Sequence, residues 1–216
     1  MNVAEPSDLT IDETGKILWT VSDTNNKIYR LDLKGNITKT LSYVGNDLEG
    51  VAYDRRDHTL WLAEEEYRAV IHVDTAGAIL ERHDITGLTT VPNKGLEGIA
   101  LDDGDHLFVL NERSPGLFIP LKSDFSYDVK YQLTFAGDYS AMTYDPQRRC
   151  FWIMSDESMA MFLCTGPNVV HAEYALPSRR FEGIALDPAG KYVYAVNDSS
   201  RALYVFQNTV PVAPAP

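Results

Sequence analysis

One short phrase recurs along this 216-residue chain at nearly constant intervals, and it restricts the fold more than any other feature. Leu48-Glu49-Gly50-Val51-Ala52-Tyr53-Asp54 is followed by Leu96-Glu97-Gly98-Ile99-Ala100-Leu101-Asp102 and by Phe181-Glu182-Gly183-Ile184-Ala185-Leu186-Asp187. Two looser copies, Glu5-Pro6-Ser7-Asp8-Leu9-Thr10-Ile11-Asp12 and Asp138-Tyr139-Ser140-Ala141-Met142-Thr143-Tyr144-Asp145, end in the same Asp. The closing Asp residues stand 42, 48, 43 and 42 residues apart. Self-similarity at this period means that one supersecondary unit is repeated, each unit burying its apolar face against its neighbours.

The units share an interior. A large aromatic lies seven residues after the Asp at Trp19, Trp61, Trp152 and Tyr194, and six after it at Phe108. An acid follows at Asp23, Glu65, Glu112, Asp156 and Asp198, and six residues beyond each stands Tyr29, Ile71, Phe118, Phe162 or Tyr204. Turn formers such as Gly15-Lys16, Arg56-Asp57, Gly104-Asp105 and Ala189-Gly190 separate short aromatic and β-branched runs that read as strands. A period near 42 with three to four short antiparallel strands predicts an all-β, five-bladed β-propeller. The expected blades are about 5–48, 49–96, 97–137, 138–181 and 182–208, a single domain over 1–208. The repeated aromatics then wedge between blades. Residues 209–216 read as a Pro-rich tail or linker, so the last blade is either three-stranded or takes its fourth strand from this tail.

Charge narrows the partners. The chain carries 31 acidic and 19 basic residues, a net charge of −12, which disfavours nucleic acid and anionic membrane surfaces. No apolar run is long enough for a membrane helix, and no signal-peptide pattern stands at the N-terminus.

Fifteen of the acids hold repeat-locked positions. The five closing Asp residues fall where the first strand turns into the second, and turn capping accounts for them. The acids that open the phrase, Glu5, Glu49, Glu97, Asp138 and Glu182, stand at the start of the innermost strand. In a propeller these strands line the central channel in one direction. The acids after the second strand, Asp23, Glu65, Glu112, Asp156 and Asp198, emerge at the same face. Two unit charges about 5 Å apart repel by roughly 3 kcal/mol at an effective dielectric near 20. Ten carboxylates at one mouth must therefore be protonated, strongly solvated or bound to a cation. All-oxygen donors suit Ca²⁺ better than Mg²⁺ or Zn²⁺. The plainer alternative is an acidic, water-filled mouth without a specific ion.

Glu5-Pro6-Ser7, the Glu-Gly-Val/Ile-Ala phrases, Trp19-Thr20-Val21-Ser22-Asp23 and Val196-Asn197-Asp198 resemble the SdiA-regulated (YjiK-like) bacterial proteins over about residues 5–207. The resemblance implies a five-bladed propeller distantly related to NHL-repeat propellers, with calcium in the channel. By motif the candidate ligands are Glu49, Glu97 and Glu182, with Asp23, Glu65, Glu112, Asp156 and Asp198 around them. Ser140 and Asn111-Glu112 depart from the pattern. No activity transfers with the likeness.

Two function classes follow. One is a calcium-dependent binding module whose channel face takes a protein, small molecule or envelope component, in a periplasmic or extracellular setting. The other is a metal-dependent hydrolase of lactonase, esterase or phytase type, using the channel ion to polarise a substrate oxygen or activate water. A phytase-like site needs Lys or Arg beside the acids, yet Lys27, Arg68, Lys94, Arg113, Arg179, Arg180 and Arg201 are scattered over the blades. No Gly-x-Ser-x-Gly elbow is present. A hairpin centred on Glu157 sets Cys150 opposite Cys164, where either a disulfide or two small buried strand residues would fit.

Overall fold

The structure, a computed structural model, describes residues 1–88, 91–92 and 94–211. These residues form five antiparallel sheets, each a meander in which sequential strands are neighbours. Blade 1 holds β1 (Pro6–Ile11), β2 (Leu18–Ser22), β3 (Lys27–Leu31) and β4 (Ile37–Val44). Blade 2 holds β5 (Leu48–Asp54), β6 (Thr59–Glu64), β7 (Ala69–Val73) and β8 (Ile79–Asp84). Blade 3 holds β9 (Leu96–Leu101), β10 (Leu107–Asn111), β11 (Leu117–Pro120) and β12 (Tyr131–Gln132). Blade 4 holds β13 (Ala141–Asp145), β14 (Cys150–Ser155), β15 (Ala160–Gly166) and β16 (Val169–Ala175). Blade 5 holds only β17 (Phe181–Leu186), β18 (Tyr192–Asn197) and β19 (Ala202–Gln207). The inner strands β1, β5, β9, β13 and β17 contact one another in a closed ring, which makes a five-bladed propeller.

The repeat explains the packing. Five apolar clusters fill the five seams between blades, and Trp19, Trp61, Trp152 and Tyr194 are buried in them. The constant spacing from Asp to Trp has a local cause in two blades. The Trp61 Nε1 donates to Asp54 at 3.2 Å and the Trp152 Nε1 donates to Asp145 at 3.4 Å. The closing Asp residues cap their turns as the sequence suggests. Asp12 accepts from the Lys16 and Ile17 amides at 2.9 Å, and Asp102 accepts from Gly104 and His106 at 2.8 and 2.9 Å. Asp187 holds Lys191 and Tyr192 in the same way.

Inner strands approach each other where the phrase carries Gly. A Cβ on Gly50 would lie 2.3 Å from the Glu97 carbonyl oxygen, and one on Gly183 would lie 2.6 Å from the Asp8 carbonyl carbon. Blade 1 has Asp8 at this position, fully buried. Its carboxylate accepts from the Leu9 amide at 2.8 Å and the Val51 amide at 2.9 Å, and also bonds the Ile184 backbone. One side chain thus ties the inner strands of blades 5, 1 and 2 together. Burial pushes its carboxyl well above the usual range, against the pull of those amides.

The cysteine expectation needs correction. In the β14–β15 pair, Phe151 rather than Cys150 stands opposite Cys164. This one-residue offset turns the thiols to opposite faces. Cys150 enters the seam with blade 5, Cys164 enters the seam with blade 3, and both are free. Burial raises both thiols to about 12. Thiol titration should therefore find no reactive cysteine in the native protein and two after denaturation, with or without prior oxidation. A native bridge appearing by mass would contradict the register.

Among the described residues, the tail does not complete blade 5. The Asn208 amide bonds the Lys191 carbonyl, and Val210 packs against the seam between blades 4 and 5. Its carbonyl accepts from Arg148 Nε at 3.2 Å. Residues 212–216 of the expected linker lie outside the described residues.

Candidate metal centre at the channel mouth

A backbone irregularity aims the phrase acids. In β5 the pairing with β6 jumps from Leu48 to Gly50, leaving Glu49 as the extra residue of a bulge. The same jump brackets Glu182 in β17 and Ser7 in β1, and the shifted register of β9 against β10 spans Glu97. A bulge re-aims the residue it leaves unpaired. Here that residue turns into the channel instead of alternating into a seam.

The second acidic set needs no irregularity. Asp23, Glu65, Glu112, Asp156 and Asp198 are each the residue immediately after the second strand of their blade. Because that strand runs antiparallel to the first, they arrive at the level of the bulges. All ten acids singled out from the repeat line one cavity of about 310 Å³, together with Ser7, Ser140, Glu157 and three guanidiniums.

The members are held differently. Glu65 accepts from the Gly95 amide at 2.6 Å. Asp138 accepts from the Glu157 amide at 3.0 Å and from the Ser155 hydroxyl. Glu5 accepts from the Thr24 hydroxyl, and Asp156 accepts from the Arg180 amide. Glu49 bonds Ser7. Carboxylate oxygens of Glu65, Glu97 and Glu112 lie within 4.8 Å of one another, as do those of Asp47, Glu49 and Glu65.

Crowding inside protein walls shifts the acids upward. Glu97 rises well above the usual range through burial, then through the charges of Glu49, Glu112, Glu65 and Glu182. Glu49 does the same through burial and then Asp23, Asp47 and Glu65. Burial first, with Asp156, Asp198 and Asp138 behind it, takes Glu182 to about 9. Glu65 and Glu112 reach about 7, again chiefly through burial. Asp23 and Asp138 are also raised by burial.

The donor set fits a hard divalent cation. It consists of carboxylate and hydroxyl oxygens, which match the 6–8 oxygen ligands of Ca²⁺. One oxygen is also without a protein partner: Asp198 Oδ1 is buried and accepts no hydrogen bond. A cation would satisfy that oxygen and lower the repulsion among its neighbours.

Asp47, Glu157 and three cations were not in the predicted ligand set. Asp47 approaches Glu49 and Glu65. Its signal was present, for it lies two residues before Glu49, the offset that separates Glu5 from Ser7 and Asp138 from Ser140. Glu157 lines the cavity beside the cations. Arg113, Arg179 and Arg180, scattered in sequence, converge on this one rim. Arg113 pairs with Glu112 at 3.1 Å and Glu157 at 2.6 Å, and Arg180 lies 3.7 Å from Asp198. Lys27, Arg68, Lys94 and Arg201 are not among the lining residues.

Comparison with known proteins agrees with this architecture. The family described as SdiA-regulated matches residues 2–207. Among solved structures, a streptogramin B lyase superposes with a TM-score of 0.58 at 15% identity, covering 99% of this chain and 72% of that one. A chain from a nidogen/laminin complex gives 0.67 at 15% identity, covering 94% and 76%. A virginiamycin B lyase from Staphylococcus aureus gives 0.58 at 16% identity, covering 95% and 66%. At these identities the likeness is one of fold alone.

Proposed function

The chain belongs to the SdiA-regulated family, and from the acidic mouth of its propeller we propose that it is a calcium-binding module that recognises an anionic ligand at the channel face. The observation that carries this reading is the convergence of ten repeat-locked carboxylates on one cavity. Glu49, Glu97 and Glu182 would hold the ion from the bulges, with Glu65, Glu112 and Asp198 beside them. Bound there, the cation supplies the positive charge that the ring lacks and a Lewis-acidic contact for a ligand oxygen.

The three rim guanidiniums add the second half of the site. Arg113, Arg179 and Arg180 present planar donors suited to a carboxylate or phosphate. The same neighbourhood gives the hydrolase reading its one support, since a phosphate ester spanning ion and guanidiniums would be polarised. Turnover of a phosphate ester, lactone or carboxyl ester with added Ca²⁺, lost in Arg179→Ala and Arg180→Ala, would move the assignment from binding to catalysis.

The direct test is thermal unfolding of chelator-treated protein with and without Ca²⁺, beside elemental analysis of untreated protein. Free ion at a hundred times its dissociation constant adds about 2.7 kcal/mol, a rise of roughly 5–10 °C for a chain of this size. About one calcium per chain is expected. No shift together with no bound metal would end the calcium reading.

The response should depend on pH. A carboxyl raised in the fold takes up protons that the unfolded chain lacks, so this contribution is complete below its unfolded value near 4.5 and is lost as pH rises toward the folded one. Chelated protein should therefore lose stability from about pH 5 to pH 9, the range set by Glu65, Glu112 and Glu182. Calcium must displace those protons, so its stabilising effect should grow over the same range.

A further inference from the structure

The repeat aromatic, its partner on the third strand and that residue's partner on the fourth form one row across a blade. In blade 2 the row is Trp61, His72 and Glu81, and the protein satisfies it from within. The Trp61 Nε1 donates to Asp54, and His72 Nδ1 lies 3.2 Å from Glu81. In blade 4 the row is Trp152, Leu163 and Ala172, and the Trp152 Nε1 donates to Asp145. Blade 1 has Trp19, Arg30 and Lys39 in the same places. Two cations thus face each other directly across β3 and β4, a pairing that costs stability unless an opposite charge lies between them.

The indole shares the deficit. Trp19 is 3% exposed, and its Nε1 is buried without a hydrogen-bond partner. Asp12 holds the place of Asp54 and Asp145, but its carboxylate is taken by the Thr14 hydroxyl and by the Lys16 and Ile17 amides. Among the described residues the Arg30 guanidinium makes no hydrogen bond or ion pair, and Lys39 Nζ reaches the Thr75 carbonyl at 2.6 Å. Other acids nearby are engaged elsewhere. Asp74 Oδ1 accepts from the Ala76, Gly77 and Ala78 amides at 2.8 Å, and Glu13 lies 3.2 Å from His58. Trp19, Arg30, Lys39 and Thr75 line one cavity of about 310 Å³, the size of a small-ligand pocket. It lies at the Asp12 end of blade 1, away from Asp23 and the acidic mouth, with which it shares no lining residue.

We propose that this pocket binds the phosphate group of a small phosphorylated molecule. The groups left unsatisfied around it are donors: an indole N–H, a guanidinium and the spare protons of an ammonium. Two positive charges match a doubly charged group better than a carboxylate, and the guanidinium fork suits two phosphate oxygens. The indole N–H serves a third. In blade 2 Asp54 and Glu81 supply from the protein the oxygens that blade 1 takes from the ligand.

The probe is inorganic phosphate, titrated into chelator-treated, ¹⁵N-labelled protein at constant ionic strength and followed through the three indole N–H resonances. The Trp19 resonance, assigned by its loss in Trp19→Phe, should move to low field and saturate while those of Trp61 and Trp152 stay. Arg30→Leu, which copies the apolar residue of blade 4, and the exposed change Lys39→Gln should both keep the fold and weaken phosphate binding at least about tenfold. Acetate should bind at least about tenfold more weakly than phosphate. A Trp19 shift that does not saturate, equal binding of acetate, or unchanged phosphate affinity in either folded variant would overturn the proposal. Phosphate held instead by the rim guanidiniums would leave the Trp19 resonance unmoved, which ends this proposal and leaves the calcium reading standing.

Discussion

Glu97→Gln is expected to raise the melting temperature of chelated protein at pH 8 and to abolish its response to calcium. The two halves have one cause. Glu97 is pressed by Glu49, Glu112, Glu65 and Glu182, and burial holds its carboxyl well above the usual range. Ionised, it repels its neighbours. Protonated, it must take up a proton that an unfolded glutamate lacks at pH 8. Glutamine keeps the shape and carries neither cost. Relief of the burial cost and of the repulsion should together raise the melting temperature by a few degrees. At pH 4 most of this rise should vanish, because the unfolded glutamate, whose ordinary value is near 4.5, is then largely protonated too. Calcium should raise the wild type and leave the variant where it is. Differential scanning calorimetry at both pH values, with chelator and with Ca²⁺, reads all four conditions. A variant that is destabilised in chelator and still responds to calcium would place the ion elsewhere.

Gly183→Ala should destabilise the propeller by about 3 kcal/mol or more, lowering the melting temperature by roughly 6–12 °C. The added methyl meets the backbone of Asp8, at 2.6 Å from its carbonyl carbon and 2.7 Å from its Cα, and the Val196 side chain at 2.6 Å. A flexible side chain could swing away, but two inner strands locked in a closed ring cannot. The strain falls on the seam between blades 5 and 1, where Asp8 also bonds the Ile184 backbone. Gly166→Ala is the control, for its methyl would touch only Val169 at 3.9 Å. Equal melting temperatures for the two variants would show that the inner strands can slide apart, contrary to the packing described.

The phrase and its spacing carried most of the architecture in readable form. A residue type recurring at one offset in every unit becomes, in a ring of equivalent blades, a residue type recurring at one height around an axis. That is why Glu49, Glu97 and Glu182 could be placed in one channel from their numbers alone, and why the acids after each second strand joined them. The closing Asp residues were legible for a different reason, since turn capping is decided within a few residues of chain.

What the repeat could not convey was decided wherever different blades meet or where a single strand pair slips. Cys150 and Cys164 look opposed by simple counting, yet a one-residue register offset sends them into different seams. Arg113, Arg179 and Arg180 share no repeat position and meet only because the ring brings blade 3 and the entry to blade 5 to the same rim. Asp8 appears in sequence as an imperfect copy of the Gly position, but in the ring it is the carboxylate that bonds three blades. Position along the chain was therefore determined by the repeat, through rotational equivalence. Register and convergence were decided by hydrogen bonding and close packing between segments far apart in sequence, which no single unit of the repeat contains.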